Sequence, residues 1–118
     1  MTIKFSIPGP MVSTNQAYRK RGSGYGMFMT PEGKAWKDLI SLMARKAMRG
    51  VPMFEGRVFV TVVYYRPSKR GDVDGPGKLL LDSLEGVCFE NDSVVHVFTQ
   101  LKDCDPKNPR TEVTVGAI

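Results

Sequence analysis

Apolar and polar positions along the chain fall into two periods, one of two residues and one close to 3.6. Residues 2–8 alternate, as a first strand with one face in a core would, and Pro8-Gly9-Pro10 ends it. Residues 13–29 lose both periods. They are polar and include Gly22, Gly24 and Gly26, which predicts a loop too long for a simple turn and of a kind often functional. Thr30-Pro31-Glu32 reads as a helix start: a capping hydroxyl, a proline where no N–H is needed, and an acid at the positive end of the dipole. Trp36, Leu39, Ile40, Met43 and Ala47 then recur at helical spacing, and Gly50 and Pro52 close the helix. Residues 57–65 are dense in β-branched and aromatic side chains. Their near-continuous apolar run predicts a central strand buried on both faces. Residues 76–85 read as a second helix, with Leu79, Leu80 and Leu84 apolar and Gly86 as its stop. Residues 94–101 and 111–117 read as two further strands joined by the turn-rich stretch 105–109. The order β-α-β-α-β-β predicts a single α/β (α+β) domain spanning residues 1–118, a mixed sheet with two main helices packed on it.

Charge changes this picture by its distribution. Residues 1–70 hold 13 Lys and Arg against 3 Asp and Glu, whereas residues 71–118 hold 4 against 9. The basic half suits a polyanion such as nucleic acid, and the acidic half suits a divalent cation. A protein that only binds DNA gains nothing from carboxylates near phosphates; a nuclease needs both. Arg19, Lys20 and Arg21 stand among Tyr18, Tyr25 and Phe28, so the 13–29 stretch can act as a basic flap whose aromatics stack on bases. Lys34, Lys37, Arg45, Lys46 and Arg49 lie mostly off the apolar stripe of the first helix, where solvation and phosphate contact compete as explanations.

Other classes are disfavoured. No apolar run approaches the roughly 18–20 residues of a membrane span, and the opening Met1-Thr2-Ile3-Lys4-Phe5 lacks the layout of a secretory signal, so a cytoplasmic location is expected. Cys88 and Cys104 form no CxxC pair and the sole histidine is His96, so zinc lacks ligands and two free thiols are expected. His96 reads as a core or edge histidine, and a triad has no members. Gly71 to Lys78 lacks the hydroxyl residue that would follow the lysine of a phosphate loop, so no nucleotide cofactor is expected.

The candidate chemistry follows the central strand. If the segment after it is extended, Asp72 and Asp74 aim two carboxylates at one spot, where their repulsion favours a cation such as Mg²⁺ between them. Asp74 can also cap the next helix, and Lys78, one turn in, can neutralise a phosphate. Asp92 precedes the following strand. It returns to the same end of the sheet if that strand pairs beside the first. Asp82, at i+4 from Lys78, reads as a helix-surface or supporting residue, with metal ligation as the lesser alternative, and Glu90 as solvated.

At these residues the chain resembles the RusA family of Holliday-junction resolvases, small proteins common in phages and prophages. The family pattern is a strand ending in R-P, then D-x-D-N-x-x-K, a helix bearing L-x-D-x-L, a glycine, and a D-D turn opening the next strand. The matching residues are Arg66-Pro67, Asp72-Val73-Asp74, Lys78, Leu80-Leu81-Asp82-Ser83-Leu84, Gly86 and Asn91-Asp92. Residues 13–19 and the opening Thr30-Pro31-Glu32-Gly33-Lys34 are similar too. The resemblance implies a homodimer that binds a four-way DNA junction and makes paired nicks with Mg²⁺ or Mn²⁺, leaving 5′-phosphate and 3′-hydroxyl ends. It implies metal ligation by Asp72, Asp74 and Asp92 and an essential role for Lys78. DNA contacts are expected from Arg19, Lys20, Arg21, Lys34, Lys69 and Arg70. Two positions depart from the pattern: Gly75 stands for its asparagine, and Asn91 for the first aspartate of the D-D pair. These departures leave two rivals: a junction-binding protein without cleavage, and a branched-DNA nuclease of loose preference.

Overall fold

The computed structural model describes residues 1–20, 26–69 and 75–118. Its organising element is the strand β4 (Val58–Arg66), placed inside a four-stranded sheet of order β1-β6-β4-β5 with β1 (Thr2–Pro8), β5 (Val95–Cys104) and β6 (Arg110–Ala117). The β4–β5 pairing is parallel; β4–β6 and β1–β6 are antiparallel. Register aligns the apolar positions into rows: Ile3, Val115 and Val60; Phe5, Val113 and Val62; Ile7, Thr111 and Tyr64. These side chains are buried, and with Trp36, Ile40, Leu80, Leu84 and Phe89 they form one core. Each buried aliphatic chain contributes about 1.5–3 kcal/mol over leaving it in water.

The other face of the sheet differs. Phe59, Thr61, Val63 and Tyr65 are half-buried, and their neighbours on β5, Val97, Thr99, Leu101 and Asp103, are exposed. Burial of β4 on both faces is therefore corrected: the core lies on the side of Val58, Val60, Val62 and Tyr64 alone. The near-continuous apolar run reflects a half-covered second face.

The helix α2 (Pro31–Ala47) starts where expected. Thr30 Oγ1 accepts from Gly33 N at 3.1 Å, and Trp36, Ile40 and Ala44 face the core. The stretch 13–29 is not a plain loop. Ser13 and Gln16 form a reciprocal capping box on a single helical turn, α1 (Thr14–Ala17). It leads into a two-stranded sheet of β2 (Tyr18–Lys20) and β3 (Met27–Met29). The expected six-element order is thus enlarged by these three, which are too short for periodicity to reveal. Three contacts seat α1 on α2. Thr30 N donates to Ala17 O at 2.7 Å, Thr30 Oγ1 donates to Gln16 O at 2.6 Å, and Gly33 lies so close that a Cβ there would sit 2.7 Å from Ala17 O.

Cys88 is fully buried, and burial pushes its thiol up to about 12; Cys104 is half-buried, and both are unpaired. A maleimide is expected to label Cys104 in the native protein and Cys88 only after unfolding, readable by mass spectrometry of the two peptides. Because the folded value of Cys88 exceeds its ordinary 9.0, its contribution to stability is intact below pH 9 and is lost as pH rises toward 12. Thermal melts should therefore decline above pH 9, less steeply in Cys88→Ala.

Candidate active site

The site is built on the helix α3 (Gly77–Leu84) and the chain that follows it. Entry to α3 is an inverse γ-turn: Pro76 has φ −81° and ψ 57°, and Gly77 N donates to Gly75 O at 2.9 Å. Pro76 occupies the N-cap position without a side-chain cap of its own, and Asp74, expected to cap this helix, lies outside the described residues. Gly75 and Gly77 permit close approach. A Cβ at Gly75 would lie 2.5 Å from the Tyr64 ring, and one at Gly77 2.8 Å from the Phe98 ring. Leu79, Leu80, Ser83 and Leu84 are buried, Ser41 Oγ donates to Ser83 O at 2.9 Å, and Lys78 and Asp82 lie on the outer side.

Beyond α3 the chain reverses tightly. Cys88 N and Val87 N donate to Leu84 O, Gly86 N donates to Phe89 O, and Gly86 takes φ +77°, a conformation glycine adopts readily. The reversal returns Asp92 alongside α3, at the first position of a short 3-10 turn (Asp92–Val94). Asn91 caps this turn by accepting from Ser93 N at 2.9 Å. Backbone N–H of Asp92 donates to Glu85 Oε1 at 3.0 Å. One carboxylate oxygen from each of Asp82, Glu85 and Asp92 then lies within 4.8 Å of the others. Lys78 Nζ donates to Asp82 Oδ2 at 3.4 Å from a side chain that is 84% exposed. That hydrogen bond holds the Lys78 ammonium above its ordinary 10.5, with smaller help from the charges of Asp82 and Asp92. Lys78 is open to solvent and cationic at neutral pH, as its ordinary value alone would make it.

One expectation about this region is corrected. Parallel pairing sets Val95 against Val58, so Asp92 lies beyond the end where β4 begins, not the end where Arg66 leaves it. It reaches Lys78 by way of α3 and the reversal. Asp82, read from sequence as a helix-surface or supporting residue, is part-exposed and pairs with Lys78, and it also stands in the carboxylate cluster. Glu85, passed over in the sequence, also belongs to it; its i+3 spacing from Asp82 was the available signal. Asp72, Asp74, Arg21 and Arg70 lie outside the described residues. Glu90 is exposed, as expected, and His96 is exposed on the edge strand β5, its Nδ1 2.8 Å from Val94 O.

The expected DNA-contact residues that are described are all exposed. Arg19 and Lys20 lie on β2, Lys34 in the first turn of α2, and Lys69 just past β4. Arg19 Nη1 donates to Asn15 O. At the far end of β4 and β5, a cavity of about 250 Å³ is lined by Arg66, Ser68, Lys69, Lys102, Asp103 and Cys104. Nearer the carboxylates, a second cavity of about 450 Å³ lies between the β2–β3 hairpin and α3. Among the described residues, no helix is long and apolar enough to cross a membrane.

Clustered carboxylates, a solvent-facing lysine on their rim and a cationic hairpin beside them together define a site suited to hydrolysing a nucleic-acid backbone. The model of the family described as Endodeoxyribonuclease RusA matches residues 8–116 of the 118. The chain belongs to the RusA endodeoxyribonuclease family, and is thus a hydrolase of DNA of the kind that cuts crossover junctions. No curated protein matches the chain.

Proposed function

We propose that this protein resolves four-way DNA junctions in recombination and repair by paired, Mg²⁺-dependent nicks, acting as a homodimer of one 118-residue domain. The observation that carries this reading is the convergence of Asp92 on Lys78, Asp82 and Glu85 across a tight reversal. The donor set fits a hard divalent cation: carboxylate oxygens from three residues within 4.8 Å, with no cysteine or histidine among them. Asp92 would hold the metal with Asp72 and Asp74, whose segment ends immediately before Gly75; Asp82 and Glu85 are the neighbouring carboxylates available to it. Bound there, Mg²⁺ supplies Lewis acidity toward phosphate and an acidified water, and Mn²⁺ can do the same.

The remaining chemistry belongs to the chain. Lys78, paired with Asp82 in the free protein, exchanges that partner for a phosphate oxygen and offsets the charge that builds during in-line attack. Glu85 fixes the backbone of Asp92, so the Asp92 carboxylate is positioned before DNA arrives. Arg19, Lys20, Arg21, Lys34, Lys69 and Arg70 supply phosphate contacts, which makes affinity steeply salt-dependent.

A two-fold dimer presents equivalent sites to equivalent strands of a symmetric junction. Support for a dimer comes from the uncovered sheet face, where register places Phe59 beside Val97 and Val63 beside Leu101; Val97 is 48% and Leu101 50% exposed. The strip is bounded by polar neighbours, including Arg110 stacked 3.9 Å over Tyr65 and paired to Glu112. Leu101→Arg is expected to turn a dimer into a monomer in sedimentation equilibrium, with the fold unchanged by circular dichroism. A monomeric wild type at micromolar concentration would refute the dimer.

The testing experiment is nicking of a labelled synthetic four-way junction in Mg²⁺, Mn²⁺ or EDTA, beside linear duplex and flapped DNA. Paired, metal-dependent cuts confined to the junction are expected. Equal cutting of flaps would replace the junction specificity with a looser branched-DNA preference, and cutting in EDTA would remove the metal.

A further inference from the structure

The cavity between the hairpin and α3 shares Lys78 and Asp82 with the hydrolytic site proposed above, but the rest of its wall has no part in that chemistry. Its lining is Thr14, Tyr18, Met27, Lys78, Leu79 and Asp82. It is an open cleft of about 450 Å³, within the roughly 300–1,000 Å³ of small-molecule sites. Strand geometry explains its wall. In the β2–β3 pair, Tyr18 lies opposite Met29 and Lys20 opposite Met27, so these four side chains share one face, and Arg19 and Phe28 share the other. The cavity thus has a half-buried tyrosine and the 58% exposed Met27 on one wall and buried Leu79 on the other. Its rim carries the Lys78–Asp82 pair. Tyr18 is close enough to Lys78 to act on its charge.

We propose that this cavity receives one unstacked base of the DNA strand, stacked against Tyr18, from the nucleotide next to the phosphate that Lys78 contacts. The inference rests on the DNA-hydrolysing reading of the neighbouring carboxylates and adds to it where the strand is gripped. A planar, apolar-faced ring is the occupant that suits an aromatic and thioether wall. Exposed Arg19 and Lys20 on the same hairpin suit the sugar–phosphate chain that carries such a ring. Tyr18 is in this account a positioning residue: holding the base fixes the adjoining phosphate against Lys78.

The test is photo-crosslinking with 5-iodouracil placed singly at each nucleotide around the exchange point of a synthetic junction. The protein is bound without divalent metal so that no strand is cut, and adducts are mapped by mass spectrometry. An adduct at Tyr18 or Met27 from one nucleotide beside the cut site is expected. In Tyr18→Ala the yield at Met27 should fall by about tenfold, the scale of one base–aromatic stacking contact, and Tyr18→Phe should retain it. Adducts that map only elsewhere while the junction is bound overturn the pocket and leave the nuclease reading intact. Adducts at Tyr18 on a junction that the metal-loaded protein never nicks overturn the cleavage reading and keep the pocket. A protein that binds no junction at all overturns both.

Discussion

Asp92→Asn is expected to lower metal-dependent nicking of a four-way junction by about a hundredfold or more, since even residues that only support metal ligands cost about 10–100-fold when changed. The substitution is nearly isosteric and the Asp92 side chain is exposed, so the fold and the Asp92 N–H to Glu85 contact should survive. Junction affinity without metal should stay the same or rise, because one negative charge beside the scissile phosphate is removed. Single-turnover nicking rates across a Mg²⁺ titration, with melting temperature as a folding control, provide the check. Asp82→Asn and Glu85→Gln calibrate the result. Glu85→Gln keeps an oxygen to accept from Asp92 N–H and should cost less than Asp92→Asn. Asp82→Asn removes the partner of Lys78 in the free protein, letting the lysine drop toward its ordinary 10.5, and so should move the alkaline limb of metal-free junction binding downward. Nicking by Asp92→Asn at the wild-type rate would take Asp92 out of the metal site.

The second large effect concerns Gly75, where the family pattern has asparagine. A side chain at 75 would meet the Tyr64 ring at 2.5 Å, and Tyr64 is fully buried with its hydroxyl donating to Gln100 Oε1 at 2.7 Å. Gly75→Asn, the change that restores the pattern, is therefore expected to destabilise this protein by about 1–3 kcal/mol, the usual cost of overpacking. Tyr64→Val in the same chain should recover part of the loss, and the coupling between the two positions should be read as a double-mutant cycle in urea. Additive effects would mean that the ring moves aside freely. Burial holds the Tyr64 phenol well above its ordinary 10.0, which is the same confinement seen from the hydroxyl. Gly75 is thus the residue that fits this chain's Tyr64, not simply a missing cap.

Periodicity made the long elements legible. β1 matched residues 2–8 throughout, α2 was marked by Thr30-Pro31 and its apolar stripe, and β4 by its β-branched density. The elements it missed are short and held by specific contacts: α1 by the Ser13–Gln16 box, and the hairpin by two three-residue strands. Neither leaves a periodic trace. Lys78 and Asp92 were legible as candidates because the family motif places them, but the route between them was not. That route depends on parallel pairing of β4 with β5 and on the left-handed Gly86, both tertiary outcomes. Glu85 stands at i+3 from Asp82, but its part is to hold a backbone N–H in a neighbouring turn, a contact that this spacing alone does not disclose.

The seating of α1 against Gly33 has a consequence for how such proteins diverge. All the carboxylates of the proposed hydrolytic centre, with Lys78, come from the single crossover that runs from β4 to β5. The hairpin that walls the base cavity comes from a separate stretch, fastened to the rest at Thr30, Gly33 and Ala17. Exchange of residues 18–29 therefore leaves the carboxylates and Lys78 in place while changing the proposed base and phosphate contacts, provided the fastening is kept. Grafting that stretch between family members is a direct route to enzymes that cut by the same means at different places.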